Sequence, residues 1–356
     1  MPGGRRDLPH NPAVPLAITA PTALHALVPR SIWLIANPVS GGGRGAKLLP
    51  TVRRAFAGVG VRQTLVTNGP GDETRCVQRA LDGGADTIAV LGGDGTWSKV
   101  TGAIVGSNAG AQCRVALLAG GTGNDFVASI SAPSRAWVTM ARLAAEGPDQ
   151  PVDCATVDGR HVLNVAGMGF DVSVIESLHG ATFGGALRYR LAALQQIFRY
   201  RPLSCDPGDG DGPRPLLLLA IANGRRFGGG LVIAPQADPG DGLLDVVAIE
   251  DAKAMRRLAL FRAVGNARHM GMIEVHSQRV RELTVYFDSP PVFQTDGELH
   301  QAQSASVDIA CVPAALRVVT PPASSLLLAA SPAASARSAS RGGSRSPSRR
   351  VGAASP

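Results

Sequence analysis

Three glycine-rich segments of this sequence carry residue types that bind phosphate groups. They are Asn37–Gly43 (NPVSGGG), Gly92–Thr96 (GGDGT) and Gly121–Phe126 (GTGNDF). Glycine lets backbone N–H groups approach an anion, and a helix N-terminus adds a positive partial charge. Asp94, inside the second segment, would repel phosphate unless a divalent cation lay between them. The segments therefore predict a site for a Mg²⁺-bound nucleotide, with a tight strand-to-helix turn capped by Asp94 as the alternative.

A second group of carboxylates lies in the loop Pro235–Leu243, which proline and glycine break. Asp238 and Asp241 are three residues apart, so two carboxylates and a backbone carbonyl could face one cation. A solvated turn is the alternative interpretation. The lysine loop of the common nucleotide-binding proteins and the catalytic loop of protein kinases are both absent from the sequence.

Alternating strands and helices position the glycine-rich segments. Apolar runs predict strands, and the stretches between them predict helices, over these ranges: strands 31–36, 62–66, 87–91 and 115–119, and helices from 46, over 72–81 and over 96–105. This alternation predicts an α/β fold, a doubly wound parallel sheet with ligands at the carboxyl ends of its strands. The glycine-rich segments fall at those ends.

The second half of the chain is predicted to be rich in β-strands. Strand-like runs cover 152–157, 161–165, 216–222, 244–249, 283–287 and 307–311, with helices over 186–199 and 252–264. The first of these helices carries Leu187, Leu191, Leu194 and Phe198 in one stripe. Such a stripe predicts a buried core face, with the wall of a lipid pocket as the alternative.

The length of 356 residues predicts about two domains. We predict a flexible leader over 1–30, an α/β nucleotide domain over 31–150, a β-rich domain over 151–320 whose last strands return to the first, and a disordered tail over 321–356. The formal net charge is +8, of which the leader and the tail carry seven. The folded part is therefore nearly neutral.

Composition excludes several classes of protein. Aromatic residues make up only 4% of the chain, which argues against binding of nucleic acid through stacked bases. The longest apolar run, 216–222, is far shorter than the roughly 20 residues that a membrane-spanning helix needs. Five scattered cysteines fit reduced thiols, and no signal peptide is apparent before residue 30. We therefore expect a cytoplasmic protein.

In the order of its motifs, the sequence resembles the diacylglycerol kinase catalytic family, which includes bacterial lipid kinases and sphingosine kinases. The resemblance runs from about residue 32 to residue 319 and rests on the three glycine-rich segments together with the four motifs Asn164–Asp171, Asn223–Gly230, Pro235–Leu243 and Thr295–Glu298. It implies a nucleotide domain followed by a β-sandwich-like second domain, the architecture that this family shares with NAD kinases. ATP and a membrane lipid would meet in the cleft between the two.

The resemblance also implies roles for single residues. The positions that match the family's ATP site are Asn37, Pro38, Val39, Ser40, Gly41, Thr67, Gly92, Gly93, Asp94, Gly95, Thr96, Trp97, Ser98, Thr122 and Asp125. Asp94 matches the carboxylate that organises the catalytic Mg²⁺, with Asp125 and Asp153 as partners. Glu298 matches the proton acceptor, with a polar hairpin turn as the alternative for its motif.

A structural Mg²⁺ is implied at Asp238, Asp241 and Leu243. Asp153 is also implied as a metal-site residue, and an exposed aspartate near a strand start is its alternative. The loop Arg225–Gly230 is interpreted either as a contact for phosphate or lipid or as a solvated basic edge.

The predicted function is thus transfer of a phosphoryl group from Mg-ATP to a lipid hydroxyl at the inner face of the membrane, by a peripherally associated protein. A phosphotransferase resembling NAD kinases and a catalytically silent nucleotide-binding regulator are the alternatives. The identity of the lipid and homo-oligomerisation stay open.

Overall fold

The computed structural model describes residues 30–130, 135–178 and 185–321, with side chains described from residue 191 onward in the last range. The predicted leader, apart from Arg30, and the predicted tail, apart from Pro321, lie outside the described residues. The first part of the chain forms the elements β1 (Ile32–Ala36), α1 (Ser40–Ala57), β2 (Val61–Val66), α2 (Asp72–Asp82), β3 (Thr87–Gly92), α3 (Asp94–Gly106), β4 (Arg114–Ala119), α4 (Asp125–Ser129) and α5 (Trp137–Glu146).

The second part is dominated by strands. Its elements are β5 (Asp149–Val157), β6 (Arg160–Val162), β7 (Val165–Gly169), α6 (Phe170–Ser177), α7 (Gly185–Gln196), β8 (Leu203–Asp206), β9 (Arg214–Ala222), β10 (Arg226–Phe227), β11 (Leu231–Val232), β12 (Leu244–Glu250), α8 (Ala254–Gly265), a 3-10 turn (His269–Gly271), β13 (Val275–Val280), β14 (Glu282–Phe287), β15 (Val292–Thr295), β16 (Glu298–Gln301) and β17 (Ser306–Val319).

The predicted parallel sheet of the first part is confirmed, with the strand order β4-β3-β1-β2. Every residue of β1, β3 and β4 is buried, because helices cover both faces of the sheet. Trp33 and Ile35 pack on the side of α2 and α3, whereas Leu34 packs on the side of α1 and α5. All strands therefore end at one edge, where their turns can share a ligand.

The antiparallel, sandwich-like second part is also confirmed, and β17 connects it to the first. This strand of 14 residues pairs antiparallel with β5 and β14, and its end pairs parallel with β4. One sheet therefore runs through both parts of the molecule. Among the described residues, no helix is both long and apolar enough to cross a lipid bilayer.

The strand predicted over 161–165 is two strands, β6 and β7. The chain breaks at Leu163 and Asn164, whose backbone N–H groups donate to the carboxylate of Asp296 at 2.8 and 2.9 Å. The Asp296 carboxylate thus accepts the backbone hydrogen bonds that a neighbouring strand would otherwise accept. An apolar run in the sequence cannot predict this interruption of the strand.

The prediction of a buried stripe on α7 is wrong. Leu191, Leu194 and Phe198 are 55%, 42% and 61% exposed. Helix α7 packs against α6, and its buried positions include the small residues Ala192 and Ala193. The side chain of Leu187 lies outside the described residues. The apolar stripe of this helix therefore points away from the core.

Candidate functional site

The three glycine-rich segments meet at the carboxyl edge of the parallel sheet. At the start of α1, Gly41, Gly42 and Gly43 have φ values of 59°, 67° and 86°, a left-handed conformation that disfavours other residues. A Cβ atom on Gly41 would lie 2.5 Å from the carbonyl oxygen of Gly120. The first segment therefore needs glycine both for its backbone conformation and for its contact with the third.

The second and third segments touch through their backbones. The N–H groups of Gly120 and Gly121 donate to the carbonyl of Gly92 at 2.7 and 3.0 Å. A Cβ atom on Gly121 would lie only 2.4 Å from the Cα atom of Gly93. The two turns thus form one continuous backbone surface, the kind of surface that can approach a phosphate group.

Asn37 connects the first segment to the helix that begins at the second. Its amide nitrogen donates to the Thr96 hydroxyl at 3.0 Å, and its side-chain oxygen accepts from the Val39 N–H at 3.1 Å. At the end of the neighbouring strand, the N–H of Thr67 donates to Ala36 at 2.9 Å. The side chain of Val39 is 73% exposed. The predicted nucleotide residues therefore share one edge of the sheet.

The residues Pro38, Ser40 and Gly95 lie in the same turns. The Pro38 carbonyl accepts from the Ala46 N–H at 3.0 Å, and the Ser40 hydroxyl donates to the Asn37 carbonyl at 2.9 Å. Trp97 differs from its neighbours, because its side chain is completely buried in the core beneath α3. Its backbone N–H donates to the carbonyl of Gly93 at 3.0 Å, so Trp97 supports the turn and does not reach a ligand.

A cavity of about 310 Å³ lies beside these turns, between the two parts of the molecule. The first part contributes four residues to its wall: Asp94, Thr122, Gly123 and Asp125. The second part contributes the residues Asn164, Val165, Ile175, Leu178, Phe227, Gly228, Gly229, Gln294, Asp296 and Gly297. Three predicted site residues therefore share one cavity: Asp94, Thr122 and Asp125.

Burial raises the pKa values of the two aspartates from the first part. Burial is the main cause for Asp94, whose carboxylate accepts from the Phe126 N–H at 3.2 Å. Burial and the nearby charge of Asp94 raise the pKa of Asp125 to about 6, although Gly229 N–H donates to Asp125 at 2.8 Å. Burial thus disfavours the negative charge on both carboxylates, and a cation bound between them would offset that cost.

The donor chemistry of this cavity fits Mg²⁺. Within the described ranges, no three His, Cys, Asp or Glu side chains are grouped closely enough to hold a metal alone. Mg²⁺ bound to a nucleotide uses only one or two carboxylates, and phosphate oxygens and water complete its ligands. Asp94 and Asp125 are the residues that would hold it, and the cation would offset the phosphate charge.

Asp296 is a cavity residue that we did not predict. Its carboxylate accepts three backbone hydrogen bonds, from Leu163, Asn164 and Val165, at 2.8 to 3.1 Å. Burial raises the pKa of Asp296, and the hydroxyl of Ser98 acts in the opposite direction. Because these N–H groups occupy the carboxylate, Asp296 serves to fix the turn beside Glu298.

Glu298 lies at the rim of this cavity rather than in its lining. The Lys99 ammonium from α3 lies 2.5 Å from Oε1 of Glu298, and the two side chains are 31% and 49% exposed. This ion pair crosses between the two parts of the molecule. Sequence reasoning missed Lys99, because no local pattern indicates a partner about 200 positions away.

The loop predicted to hold a structural Mg²⁺ makes other contacts. Asp241 forms an ion pair with Arg279, and the Asp238 carboxylate accepts from the Gly240 N–H at 3.1 Å. The backbone N–H of Leu243 donates to Asp241 at 3.0 Å. The guanidinium group of Arg279 thus supplies a positive charge at the predicted cation position. These side chains do not fit a bound metal as they stand.

Asp153 lies below this loop and outside the cavity lining. It is 2% exposed, so the alternative of an exposed aspartate is wrong. Its carboxylate accepts from the N–H groups of Gly242 and Ala314, both at 2.7 Å. These bonds connect the loop to β17, which is a structural role that does not bring Asp153 to Asp94.

The loop Arg225–Gly230 forms part of the apolar side of the cavity. Phe227, Gly228 and Gly229 line it, together with Ile175 and Leu178 from the α6 region. The Arg225 guanidinium instead donates to the carbonyl of Ala237 at 2.7 Å. The cavity therefore has polar walls, formed by Asp94 and Asp125 from the first part and Asp296 from the second, and an apolar wall formed by Ile175, Leu178 and Phe227.

Comparison with known proteins adds independent findings. Residues 31–157 match the family model of the diacylglycerol kinase catalytic domain. Residues 164–320 match the YegS C-terminal NAD kinase beta sandwich-like domain. The first match lies over the part of the chain that forms the parallel sheet, and the second lies over the antiparallel part.

Curated relatives span most of the chain. A diacylglycerol kinase of Mycobacterium tuberculosis is 28% identical over 301 residues, covering 82% of this chain and 95% of that protein. A protein of Xanthomonas oryzae pv. oryzae named "Probable lipid kinase YegS-like" is 31% identical over 268 residues, covering 72% and 85%.

Solved structures share the fold. A crystal structure of a diacylglycerol kinase from Bacillus anthracis aligns with a TM-score of 0.61 at 20% identity, covering 83% of this chain and 98% of that one. A second crystal structure from the same organism has a TM-score of 0.68 at 24% identity, covering 83% and 96%. Taken with the motifs and the cavity, these findings show that the chain belongs to the diacylglycerol kinase catalytic-domain family.

Proposed function

We propose that this protein is a lipid kinase that transfers the γ-phosphoryl group of Mg-ATP to a hydroxyl group of a membrane lipid. The observation that carries the proposal is the cavity in which Asp94 and Asp125 face an apolar wall formed by Ile175, Leu178 and Phe227. The aspartates suit a cation with its phosphates, and the apolar wall suits the hydrocarbon next to a lipid hydroxyl. Relatives that are named diacylglycerol kinase and lipid kinase support the same reaction.

The chain's own groups define separate tasks in this reaction. The first backbone N–H groups of α3, at the turn where Gly93 touches Gly121, would face phosphate, and Asp94 with Asp125 would hold Mg²⁺. When bound, Mg²⁺ supplies positive charge that stabilises the transferring phosphoryl group. The apolar wall excludes water, which would otherwise compete with the lipid hydroxyl for the phosphoryl group.

Glu298 is the better candidate for the proton acceptor than Asp296. The carboxylate of Asp296 already accepts three backbone hydrogen bonds, whereas Glu298 has one ion-pair partner and is half exposed at the rim. The Lys99 ammonium contacts the Oε1 atom of that Glu298 carboxylate. Removing a proton from the lipid hydroxyl as the phosphoryl group arrives is ordinary general-base work for such a group.

A transfer assay with radiolabelled ATP tests this proposal over a panel of detergent-solubilised acceptors: diacylglycerol, a sphingoid base, phosphatidylglycerol and NAD. We expect phosphorylation of a lipid and none of NAD. Glu298→Gln should lower kcat by roughly a hundredfold or more with ATP binding retained. Glu282→Gln is the matched control, because Glu282 is an exposed residue of β14 that does not line the cavity.

Transfer to NAD alone would show a different kinase. A Glu298→Gln variant with normal turnover would remove that residue from the chemistry. Binding of Mg-ATP without transfer to any acceptor would support a silent nucleotide-binding protein instead.

A further inference from the structure

Helix α7 carries an apolar face that the described parts of the chain leave exposed. Leu191, Leu194 and Phe198, at the C-terminal half of the helix and just after it, lie at spacings of three and four residues and are each at least 42% exposed. This spacing places them within one narrow stripe along the helix. Large apolar side chains in a contiguous exposed row mark an interaction surface more often than isolated ones do.

The sequence around this stripe is basic. Between Glu176 and Asp206 the sequence contains four arginines (Arg188, Arg190, Arg199 and Arg201) and no acidic residue. Arg199 and Arg201 are exposed, and neither forms an ion pair with another described residue. The surface formed by Leu191, Leu194, Phe198, Arg199 and Arg201, the α7 face, is therefore both apolar and cationic.

One acidic residue near the end of α7 already has a cationic partner. Asp251, before α8, forms an ion pair with the buried Arg257 at 2.8 Å. Arg257 also donates to the carbonyls of Ile197 and Tyr200, both at 3.0 Å, so that α8 supports the end of α7. The α7 face is held in place by these contacts, and its positive charge is not cancelled from that side.

The other side of α7 faces the interior near the candidate site. Ile197 lines a narrow apolar cavity of about 40 Å³, together with Phe227. Phe227 also lines the larger cavity that contains Asp94 and Asp125. A surface that rests against the outer side of α7 would therefore lie close to the apolar wall of the cavity.

We propose that the α7 face is the surface by which this protein docks on an anionic phospholipid bilayer. This proposal rests on the proposed function, since a lipid kinase must reach an acceptor that lies in a membrane. The stripe would insert between the lipid headgroups, and the arginines would contact their phosphates, as amphipathic helices do at interfaces. Because the α7 face is positively charged, the surface that binds it carries negative charge.

Charge also argues against other occupants from this chain. The predicted tail carries five arginines and no acid, and residues 1–30 carry three arginines and one aspartate. Both segments have the same sign of charge as the α7 face. A second copy of the chain would bring one cationic face against another. An anionic bilayer has the opposite charge and is not repelled by the α7 face.

Sedimentation of the full-length protein with vesicles tests this proposal without depending on catalysis. Vesicles of phosphatidylcholine with phosphatidylglycerol are compared with vesicles of phosphatidylcholine alone, at low and at high salt. We expect Leu194→Gln with Phe198→Gln to lower the partition coefficient on anionic vesicles by about tenfold. Val138→Gln with Tyr286→Gln is the matched control, because these residues are 57% and 56% exposed on other elements.

A second pair of variants tests the charge. An arginine near an anionic surface contributes about 1 kcal/mol, which corresponds to roughly a fivefold change in partition for each residue. Arg199→Gln with Arg201→Gln should therefore weaken binding to anionic vesicles, and less so at high salt. Arg53→Gln with Arg54→Gln on α1 is the matched control, since both residues are exposed.

Equal loss of binding in the α7 and control pairs would overturn the proposal, as would unchanged binding in the α7 pairs. A change of oligomeric state in gel filtration, with vesicle binding intact, would show that the face binds another copy of the chain. Failure of the proposed function is detected separately, because transfer to detergent-solubilised lipid does not require docking. Variants of the α7 face that keep this transfer and lose vesicle binding would support both proposals.

Discussion

Replacement of Gly121 by alanine tests whether the glycine-rich turns act as one phosphate-binding surface. The new Cβ atom would lie 2.4 Å from the Cα atom of Gly93. Carbon atoms in contact are normally about 3.5–4.0 Å apart, so the two turns would have to separate by about 1 Å or more. The N–H groups that we assign to phosphate would then no longer converge on one ligand.

The size of the effect follows from this displacement. Overpacking of a well-packed region costs about 1–3 kcal/mol. If binding of Mg-ATP restores the original spacing of the two turns, the overpacking energy is subtracted from the binding free energy. Each loss of about 1.4 kcal/mol raises the Kd for Mg-ATP tenfold. We therefore expect Gly121→Ala to weaken Mg-ATP binding by roughly ten- to a hundredfold while the protein remains folded.

Isothermal titration calorimetry with Mg-ATP measures this change, and thermal unfolding reports whether the variant is folded. Gly106→Ala is the matched control, because Gly106 lies at the far end of α3 and a Cβ atom there would meet nothing within 4 Å. A folded Gly121→Ala protein that binds Mg-ATP as tightly as the wild type would refute the role of the touching turns.

Three further predictions concern charged groups. Because the pKa of Asp125 is raised to about 6, its ionisation costs stability as pH rises from about 4 to 6, and the cost is complete above that range. Asp125→Asn should therefore stabilise the protein by up to about 3 kcal/mol at pH 8 and little at pH 4, as measured by urea unfolding. Arg279→Ala, which removes the cation from the loop at Asp241, should make the melting temperature rise with added Mg²⁺ more than in the wild type, as measured by differential scanning fluorimetry. Lys99→Met should lower kcat by roughly three- to tenfold with ATP binding unchanged, whereas Lys99→Arg should retain activity because it preserves the ion pair with Glu298.

Sequence reasoning predicted the parallel sheet because its strands are buried on both faces. Apart from Thr87 and Arg114 at their starts, strands β1, β3 and β4 are apolar runs, and a turn rich in glycine or asparagine follows each of them directly. The antiparallel part gave weaker signals. Strands β13 and β16 have no fully buried residue, so no apolar run marks them. Their positions depend on pairing, of β13 with β12 and of β16 with its hairpin neighbour β15, rather than on burial of their own side chains.

Helix α7 illustrates a different limit. The spacing of its leucines predicted an amphipathic helix, and the helix exists. Periodicity shows which side of a helix is apolar, but it does not show whether protein or another surface covers that side. In this protein the small residues Ala192 and Ala193 face the core, and the larger residues Leu191 and Leu194 face outward.

The candidate site was predictable where one segment of chain forms it. Asp94 and Asp125 each follow a glycine-rich turn at a strand end, and both reach the same cavity. Asp296 and Lys99 act through contacts with residues more than 100 positions away. A carboxylate that accepts backbone N–H groups leaves no sequence signal of its own, so only the three-dimensional structure shows these roles.

The contacts that connect the two parts of the protein at the cavity differ in chemistry. In the cavity lining the Gly229 N–H donates to Asp125 at 2.8 Å, and at the rim Lys99 contacts Glu298. A carboxylate has about four acceptor positions, so Asp125 can keep its bond to Gly229 while it ligates a cation. A bound cation would then be attached to both parts of the protein through one side chain. Through its bond to Gly229, Asp125 would also position the loop that carries the apolar Phe227. The lipid acceptor beside that loop and the phosphate donor at the cation would therefore lie in a fixed position relative to each other.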